Sequence, residues 1–178
     1  MNILALDAAT TTGFAHSNGK HGIWNLGPAT IRLRTFKELI DKAIQEWGCD
    51  CIAYEQASYG AGGRKGEGGV QWQTIVFHNQ LRGIIELVSQ ERMIKCQAFH
   101  PSTIKAFATG NGRAKKEQMI AACITHYKFK PIDDNEADAV FILELAKRPD
   151  CWPKPKEKQV KPRLFRNSKA VNKPKKLF

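Results

Sequence analysis

The stretch Ile3-Leu4-Ala5-Leu6-Asp7, followed by Ala8-Ala9-Thr10-Thr11-Thr12-Gly13, decides the fold of this 178-residue chain. An apolar run that ends in a carboxylate predicts a buried strand with an acid at its carboxyl end. The small residues after Asp7 predict a tight turn. Asn18-Gly19 is a strong hairpin signal between the stretches 14–17 and 21–26, so the first three strands are expected to form an antiparallel meander.

The rest of the chain alternates between helical and strand-like patterns. Apolar residues at helical spacing predict long helices over residues 31–47, with Gly48 as the C-cap, and over 70–92. Short apolar runs predict strands at 49–55 and 93–99, and further helices are predicted at 102–107, 114–127 and 135–147. This order predicts an α/β fold: a five-stranded mixed sheet, with strands 1–3 antiparallel and strands 4–5 parallel, flanked by helices.

The positive charge is concentrated at one end of the chain. Residues 147–178 hold 12 Lys or Arg against Asp150 and Glu157, a net +10, so the chain's +11 leaves +1 for residues 1–146. We expect one domain over 1–148 and a basic, flexible tail over 149–178, because five prolines and few apolar groups cannot form a core. Such a tail favours nonspecific DNA binding through phosphates. The DNA-binding residues predicted there are Lys154, Lys156, Lys158, Arg163 and Arg166.

Other features exclude several classes of protein. No apolar run is long enough to cross a membrane, and the N-terminus lacks a secretory leader, so we expect a cytoplasmic location, in the bacterial nucleoid or a phage-infected host cell. Five cysteines without a CxxC pair argue against a disulfide framework or a zinc ribbon, and we expect them to be reduced. Cys49 and Cys51 with His100 could bind zinc, although two thiols on one face of a buried strand are common in cores.

Three acids are expected to meet at one edge of the sheet. Asp7 ends the first strand, Glu55 ends the fourth, and Asp138 lies in the last helix. If strands one and four are adjacent and parallel, Asp7 and Glu55 lie side by side at the edge where such sheets place their sites. Clustered carboxylates repel unless cations neutralise them, and oxygen ligands favour Mg²⁺ or Mn²⁺ over zinc. Two such ions about 4 Å apart support phosphodiester hydrolysis.

A fourth ligand could come from the last helix. At about 100° per residue, Asn135 lies about 60° and Asp134 about 40° from Asp138, whereas Glu136 faces away. Taken singly, an acid at a strand end is more often a turn or cap residue, and Asp133-Asp134 could simply cap the helix. The predicted site therefore depends on the acids being placed together.

Glycines and basic residues indicate contact with nucleic acid. The glycine-rich loop over 60–69 can approach phosphates closely, and it carries Arg64 and Lys65. Tyr59 or Trp72 could stack on an unpaired base, although packing within a helix is the commoner role for Trp72. Lysines beside Gly110 and Gly112 suggest a helix N-terminus facing phosphate, with ordinary solvated lysines as the alternative; these lysines are Lys105, Lys115 and Lys116.

Five ordered motifs over residues 1–146 resemble the RuvC-type Holliday junction resolvases of the ribonuclease H-like superfamily. They are Leu4-Ala5-Leu6-Asp7, Tyr54-Glu55-Gln56, Gln80-Leu81-Arg82-Gly83, the basic region of 101–105 and 110–118, and Asn135-Glu136-Ala137-Asp138-Ala139. The resemblance implies a ribonuclease H-like fold and a homodimer that binds four-way DNA junctions. It also implies that two opposing strands are cut to leave 5′-phosphate ends, with two Mg²⁺ or Mn²⁺ ions per site and no nucleotide cofactor.

The resemblance also implies roles for individual residues. The implied catalytic residues are Asp7, Glu55, Asp138, Asn135 and Lys116. Together with the helical spacing, the resemblance gives the predicted metal ligands Asp7, Glu55, Asp138 and Asn135, with Asp134 as the alternative fourth ligand. The resemblance and the loop and lysine patterns above together give the predicted DNA contacts in the body: Tyr59, Arg64, Lys65, Arg82, Lys105, Arg113, Lys115 and Lys116. The chain departs from the family at Asn135, where an acid or His is usual, and a neutral ligand would hold the second ion less tightly. The glycine content of the loop and the basic tail are further departures. The compact chain and its unusual final motif favour a phage source.

Three alternative functions remain open at this stage. Asn135 would also suit a junction-binding protein with weak catalysis. A related nuclease for RNA hybrids or flaps would use the same acids. The turn after Asp7 is similar to the phosphate loop of actin-like phosphotransferases, but that fold needs two such domains and this chain has the length of one.

Overall fold

A computed structural model describes residues 1–56 and 72–151. Its strands are β1 (Ile3–Asp7), β2 (Thr11–His16), β3 (His21–Asn25), β4 (Cys51–Glu55) and β5 (Lys95–Phe99). Its helices are α1 (Arg32–Trp47), α2 (Trp72–Glu91), α3 (Pro101–Thr109), α4 (Lys116–Tyr127) and α5 (Asp134–Ala146), followed by a 3-10 turn (Pro149–Cys151). None of the helices in these two ranges is long and apolar enough to span a membrane.

The five strands form one mixed sheet in the order β3-β2-β1-β4-β5. β1 and β2, and β2 and β3, pair antiparallel, whereas β4 pairs parallel with both β1 and β5. The predicted sheet, with an antiparallel meander followed by two parallel strands, is therefore confirmed. The central position of β1 follows from its composition, because a strand with partners on both sides and helices on both faces must be apolar along its length.

Alternation along β1 and β4 divides the core into two layers. Ile3 and Ala5 of β1 join Cys51 and Ala53 of β4 in the layer covered by α3, α4 and α5. The residues between them, including Leu4, Leu6, Ile52 and Tyr54, face the layer covered by α1 and α2. Successive side chains of a strand point to opposite faces. Asp7 lies two residues after Ala5 in β1, and Glu55 lies two residues after Ala53 in β4. Both acids are therefore directed toward the face that carries α5.

The last helix lies unusually close to the sheet. Most of α5 is buried, and Ala137, Ala139 and Ala146 present small side chains that permit this approach. The closest point is Gly13 of β2, where an added methyl group would overlap the backbone carbonyl of Asn135. Glycine is needed here for space, because its Cβ position is already filled by the start of α5.

Some boundaries differ from the sequence-based predictions. The tight turn after Asp7 is shorter than predicted, because the Thr12 hydroxyl donates to the Ala9 carbonyl (2.7 Å) and β2 begins at Thr11. Cys49 lies outside β4, which begins at Cys51, because Gly48 ends α1 with a positive φ of 71° and the chain must turn first. Trp72 lies at the start of α2 and is 74% exposed. The prediction that its ring packs as part of the helix is therefore wrong for a single copy of the chain.

Candidate active site

Asp7 and Glu55 lie at the carboxyl ends of two adjacent parallel strands. The register pairs Ile3 with Cys51 and continues in step to Leu6 with Tyr54, so one further residue brings Asp7 opposite Glu55. Both side chains are half-buried and share the face on which α5 packs. The strands thus bring together two acids that are 48 positions apart in the sequence.

Asp138 reaches the same region from α5. The helix begins with Asp133 as its N-cap, whose side chain accepts from the Glu136 N–H (2.9 Å), and this sets the rotation of the first turn. Asp138 is half-buried, and its Oδ1 atom is buried without a hydrogen-bond partner among the residues that the structure describes. A buried carboxylate oxygen with no donor is costly, so this atom calls for a cation or a water molecule.

Burial and like charge act together on the three carboxyls. Burial, followed by repulsion from Glu55 and Asp138, raises the pKa of Asp7 well above its usual range. Burial and the charge of Asp138 raise the pKa of Glu55 to about 7. Burial, opposed by Lys105, raises the pKa of Asp138 to about 6. Mutual effects of this kind require the three groups to interact, so they form one electrostatic unit.

Two lysines face this acidic unit. Lys105 of α3 lowers the pKa of both Glu55 and Asp138. Lys116, the first residue of α4, forms an ion pair with Asp134 (2.6 Å) while its own side chain stays 74% exposed. The pair with Asp134, and the charges of Asp7 and Asp138 beyond it, raise the pKa of Lys116. Both cations are therefore held at the border of the site, where an anionic substrate would meet them.

Asn135 has a structural role that its sequence position did not reveal. Its side-chain N–H donates to the Thr11 carbonyl (2.8 Å), which ties the first turn of α5 to the start of β2. A weaker contact joins the same nitrogen to Asp133 (3.4 Å). A neutral amide coordinates a cation through its oxygen, and the bond from the nitrogen to Thr11 leaves that oxygen available as a ligand.

The donor set suits a hard divalent cation. Carboxylate and amide oxygens are the ligands that Mg²⁺ and Mn²⁺ prefer, and the partnerless oxygen of Asp138 provides a direct reason for an ion. Within 1–56 and 72–151, no three acidic, His or Cys side chains converge tightly enough to enclose an ion as they stand. Carboxylates without a neutralising charge between them repel each other, which accounts for their separation; their shared face and mutual effects on pKa still place them in one region.

Other predicted DNA contacts lie at varying distances from the acids. Arg113 and Lys115 are exposed immediately before α4, where the Lys115 N–H donates to Gln118 (2.8 Å) and caps the helix. Arg82 lies on α2 and donates to Glu86 (2.8 Å), which also accepts from the Tyr54 hydroxyl. Arg82 therefore belongs to the opposite helical layer from Lys105 and Lys116. The remaining predicted contacts lie outside the described residues: Tyr59, Arg64, Lys65, Lys154, Lys156, Lys158, Arg163 and Arg166.

The cysteines do not form a site within the described ranges. Cys49, Cys51, Cys96 and Cys123 are free thiols, and all four are buried or half-buried. The Cys49 thiol donates to the Cys51 carbonyl (2.9 Å). His100 instead caps α3, where its Nδ1 atom accepts from the Ser102 N–H (3.2 Å).

One buried acid was not singled out by sequence reasoning as part of the site. Glu136 faces away from Asp138, as predicted, but it is only 3% exposed and pairs with His21 of β3 (2.6 Å). The two residues are 115 positions apart, so no motif or periodicity links them. The only signal in the sequence was a charged residue next to Ala137 at the start of a largely apolar helix.

Comparison with known proteins decides the family. A family model for the crossover junction endodeoxyribonuclease RuvC matches residues 23–144, which is more than half of the chain. The chain belongs to the RuvC family. Its RuvC relatives include the crossover junction endodeoxyribonucleases of Mycobacterium ulcerans and Mycobacterium marinum, each 27% identical over 128 residues. These alignments cover 72% of this chain, which spans 64% of the length of either relative.

Solved RuvC structures share the fold. The structure of Thermus thermophilus RuvC matches with a TM-score of 0.58 at 16% identity, covering 83% of this chain and 96% of that one. T. thermophilus RuvC in complex with Holliday junction substrate gives a TM-score of 0.59 at 17% identity, covering 80% of this chain and 90% of that one. The yeast mitochondrial Holliday junction resolvase Ydc2 matches with a TM-score of 0.55 at 11% identity, covering 79% of this chain and 75% of that one. The RuvC-type, ribonuclease H-like fold expected from the sequence is thus confirmed.

Proposed function

We propose that this RuvC-family chain is a structure-selective DNA endonuclease that resolves four-way junctions by metal-dependent hydrolysis of phosphodiesters. One observation carries the proposal: Asp7 and Glu55 end adjacent parallel strands on the face of α5, where the charge of Asp138 raises the pKa of both. The names of the RuvC relatives, and the Holliday junction bound by one structural neighbour, support four-way DNA as the substrate.

In this proposal, Asp7, Glu55 and Asp138 hold divalent ions, and the amide oxygen of Asn135 or the carboxylate of Asp134 supplies a fourth ligand. Two Mg²⁺ or Mn²⁺ ions, when bound, supply a nucleophilic water at neutral pH and neutralise the charge that develops on the departing 3′ oxygen. Asp134 is the better fourth ligand on charge, but it must first leave its ion pair with Lys116. Asn135 is already positioned by its bond to Thr11.

The basic residues of the site have a separate role. Lys105 and Lys116 lie beside the carboxylates without neutralising them completely, since the pKa values of Glu55 and Asp138 stay raised. A phosphate that approaches this edge would exchange its counterions for these lysines, with Arg113 and Lys115 extending the contact along the start of α4. We assign Lys116 to the scissile phosphate because its exposed ammonium group already lies against the acidic unit.

Cleavage of two opposing strands requires two active sites, so we propose that the chain acts as a homodimer. Helix α2 carries Leu87, 47% exposed, and Trp72, 74% exposed, on a surface with no covering element among the described residues. A second copy could bury these side chains. Light scattering of the purified protein tests this proposal, since a monomer mass at micromolar concentration would contradict it.

The basic tail over 149–178 is proposed to bind DNA arms through charge rather than sequence. Its lysines and arginines far outnumber its two acids, Asp150 and Glu157. Such a segment raises affinity for any duplex by releasing counterions. Selection of the junction is then left to the folded body.

A cleavage assay with several branched substrates tests the proposed function. Four-way, three-way, flap, RNA–DNA hybrid and linear substrates are incubated with the full chain, with and without Mg²⁺ or Mn²⁺. We expect paired cuts in the four-way junction, dependent on the ion and leaving 5′-phosphate ends. Preferential cutting of the hybrid or the flap would identify a different nuclease. Cutting that persists in excess chelator would contradict the assigned site.

Asn135 favours one second candidate, a junction-binding protein with weak catalysis. The neutral side chain is committed to Thr11 through its nitrogen and offers less charge for a second ion than a carboxylate would. The same assay separates the two functions. Tight, structure-selective binding without cleavage at millimolar Mn²⁺ would support the second candidate.

A further inference from the structure

Glu136 is the only acidic side chain among the described residues that is fully buried, at 3% exposure. Both of its carboxylate oxygens are occupied. Oε1 accepts from the Nδ1–H of His21 (2.6 Å), and Oε2 accepts from the backbone N–H of Ile132. A carboxylate only accepts hydrogen bonds, so the His21 proton at this contact must lie on Nδ1.

The pair and its backbone partner join three segments of the fold. Glu136 belongs to the first turn of α5, His21 begins β3, and Ile132 lies in the loop before the helix. The His21 ring also stacks on Phe129, with ring centres 4.3 Å apart. His21 itself is 37% exposed, so the contact is anchored at the buried carboxylate and reaches the surface at the imidazole.

The location of Glu136 is the reason to look beyond core packing. It follows Asn135 directly and precedes Asp138 by two residues, so any rotation or shift of the first turn of α5 moves all of these groups. Asp7 and Glu55 end adjacent strands on the face that carries Asp138, so like charges placed there would move the start of α5 away from β1 and β4. Two polar contacts oppose this movement: Asn135 to Thr11 on one side, and Glu136 to His21 on the other.

We propose that the Glu136–His21 pair is a positioning device that holds the ligands on α5 against the sheet edge before divalent ions bind. This inference rests on the proposed metal-dependent nuclease function. A polar contact to a buried carboxylate is a weak source of stability, because well-packed apolar residues often serve as well. A fixed hydrogen bond, in contrast, specifies one rotation of the helix. The pair therefore sets the affinity of the ion site, while neither residue touches the reacting atoms.

If the pair positions the ligands on α5, its loss lowers the affinity for divalent ions more than the maximal cleavage rate. Loss of the pair should weaken Mn²⁺ binding at least about tenfold, as is typical when groups that orient metal ligands are removed. At saturating Mn²⁺ the ions themselves pull the carboxylates together, so the maximal cleavage rate should stay close to that of the wild type. A general loss of structure would instead lower both quantities.

The test is calorimetric titration of Mn²⁺ into the full-length protein at a temperature where melting curves show every variant to be folded. His21→Phe removes the donor but keeps a ring against Phe129, and His21→Asn restores an N–H near the position of Nδ1. We expect His21→Phe to weaken binding at least about tenfold and His21→Asn to recover most of it. Because His21 lies on an edge strand and is partly exposed, both variants are expected to fold.

Two further variants make the result decisive. Glu144→Gln is the matched control, because it breaks the ion pair with Lys147 near the other end of the same helix, and it should leave Mn²⁺ affinity unchanged. Asp138→Asn tests the site itself and should abolish binding of at least one ion. If Asp138→Asn abolishes binding but His21→Phe matches the wild type, the positioning inference alone is wrong. If Asp138→Asn also binds normally, the proposed site is wrong.

Discussion

At the scale of single residues, the acids of the site are set apart from ordinary surface carboxyls by where the strands end. Asp7 and Glu55 terminate strands whose preceding residues are buried, so their side chains lose water on one side while facing each other on the other. Both effects disfavour ionisation. The pKa of each of these acids is therefore raised, and a bound cation would lower it again.

A stability measurement at two pH values tests this electrostatic assignment. A carboxyl whose pKa is raised in the folded protein binds its proton more tightly folded than unfolded. Its stabilising effect is therefore fully present below its usual pKa of 4.5 and is lost as the pH rises through about 7 for Glu55. In EDTA, Glu55→Gln should remove this loss, so we expect its melting temperature at pH 8 to exceed the wild type by about 2–4 °C. The gain should shrink at pH 5; parallel pH profiles for the two proteins would contradict the raised pKa.

Asp7→Asn is expected to lower junction cleavage by more than about a hundredfold, since losing even a group that orients a metal ligand costs 10–100-fold. Binding to the four-way junction should change little, because removing a negative charge does not weaken attraction to phosphates. Gel cleavage and fluorescence anisotropy on one protein preparation measure both quantities. Glu38→Gln on α1 is the control, because it removes one exposed carboxylate far from the site. Normal cutting by Asp7→Asn would exclude the assigned acid.

At the scale of elements, the site depends on how closely α5 approaches the sheet. Its alanines and the bare backbone of Gly13 allow the first turn of the helix to lie over β2, next to β1. The Asn135 to Thr11 bond then fixes that distance. The position of Asp138 relative to Asp7 is therefore a property of the packing between helix and sheet, more than of either element alone.

Gly13→Ala tests this packing. The new methyl group would meet the Asn135 carbonyl, so we expect a loss of about 1–3 kcal/mol in the free energy of unfolding and impaired cleavage. Urea denaturation measures the first effect. The matched control is Gly83→Ala in α2, where the added methyl meets nothing within 4 Å and should stabilise the helix by about 0.4–1 kcal/mol. Equal stability changes for the two variants would show that the approach of α5 is not tight.

The elements were largely predictable from the sequence, and their contacts were not. Apolar alternation and the Asn18-Gly19 turn predict the meander, and helical spacing predicts α1, α2, α4 and α5 to within a few residues. The placement of Asp7 and Glu55 at one edge of the sheet was predictable, because adjacent parallel strands share that edge. The Glu136–His21 pair was not, because it joins two faces whose relative position is set only by tertiary packing.

At the scale of the whole molecule, charge is divided between a nearly neutral body and a basic tail. Because the net charge is only +1 over residues 1–146, we expect the body to contribute shape and a few local cations and the tail to contribute general attraction to DNA. Composition alone predicts this division, because counterion release needs no fold. Which groove or arm the tail follows is not encoded in composition.

Truncation after Cys151 tests whether the tail supplies the general affinity for DNA. The cut is placed there because the 3-10 turn that ends at Cys151 packs on α5 and is kept. The deletion removes ten Lys or Arg and one acid, Glu157. Affinity for linear duplex should fall, and the slope of log K against log salt should decrease by about 0.9 for each phosphate that the tail no longer neutralises. A tail of shuffled sequence should restore the slope. An unchanged slope in the truncated protein would show that the tail does not bind phosphates.

The buried and half-buried thiols of the body allow a label to be attached at one chosen position on the surface. Burial raises the pKa of Cys49 and Cys123 to about 11 and of Cys51 to about 12, so almost none of the reactive thiolate forms near pH 7. A fluorophore or spin label should therefore attach selectively to a cysteine introduced at Met93, which is 92% exposed, in a Cys151→Ser background. Distances between two labelled copies, or between the protein and a junction arm, could then be recorded with the interior cysteines left in place.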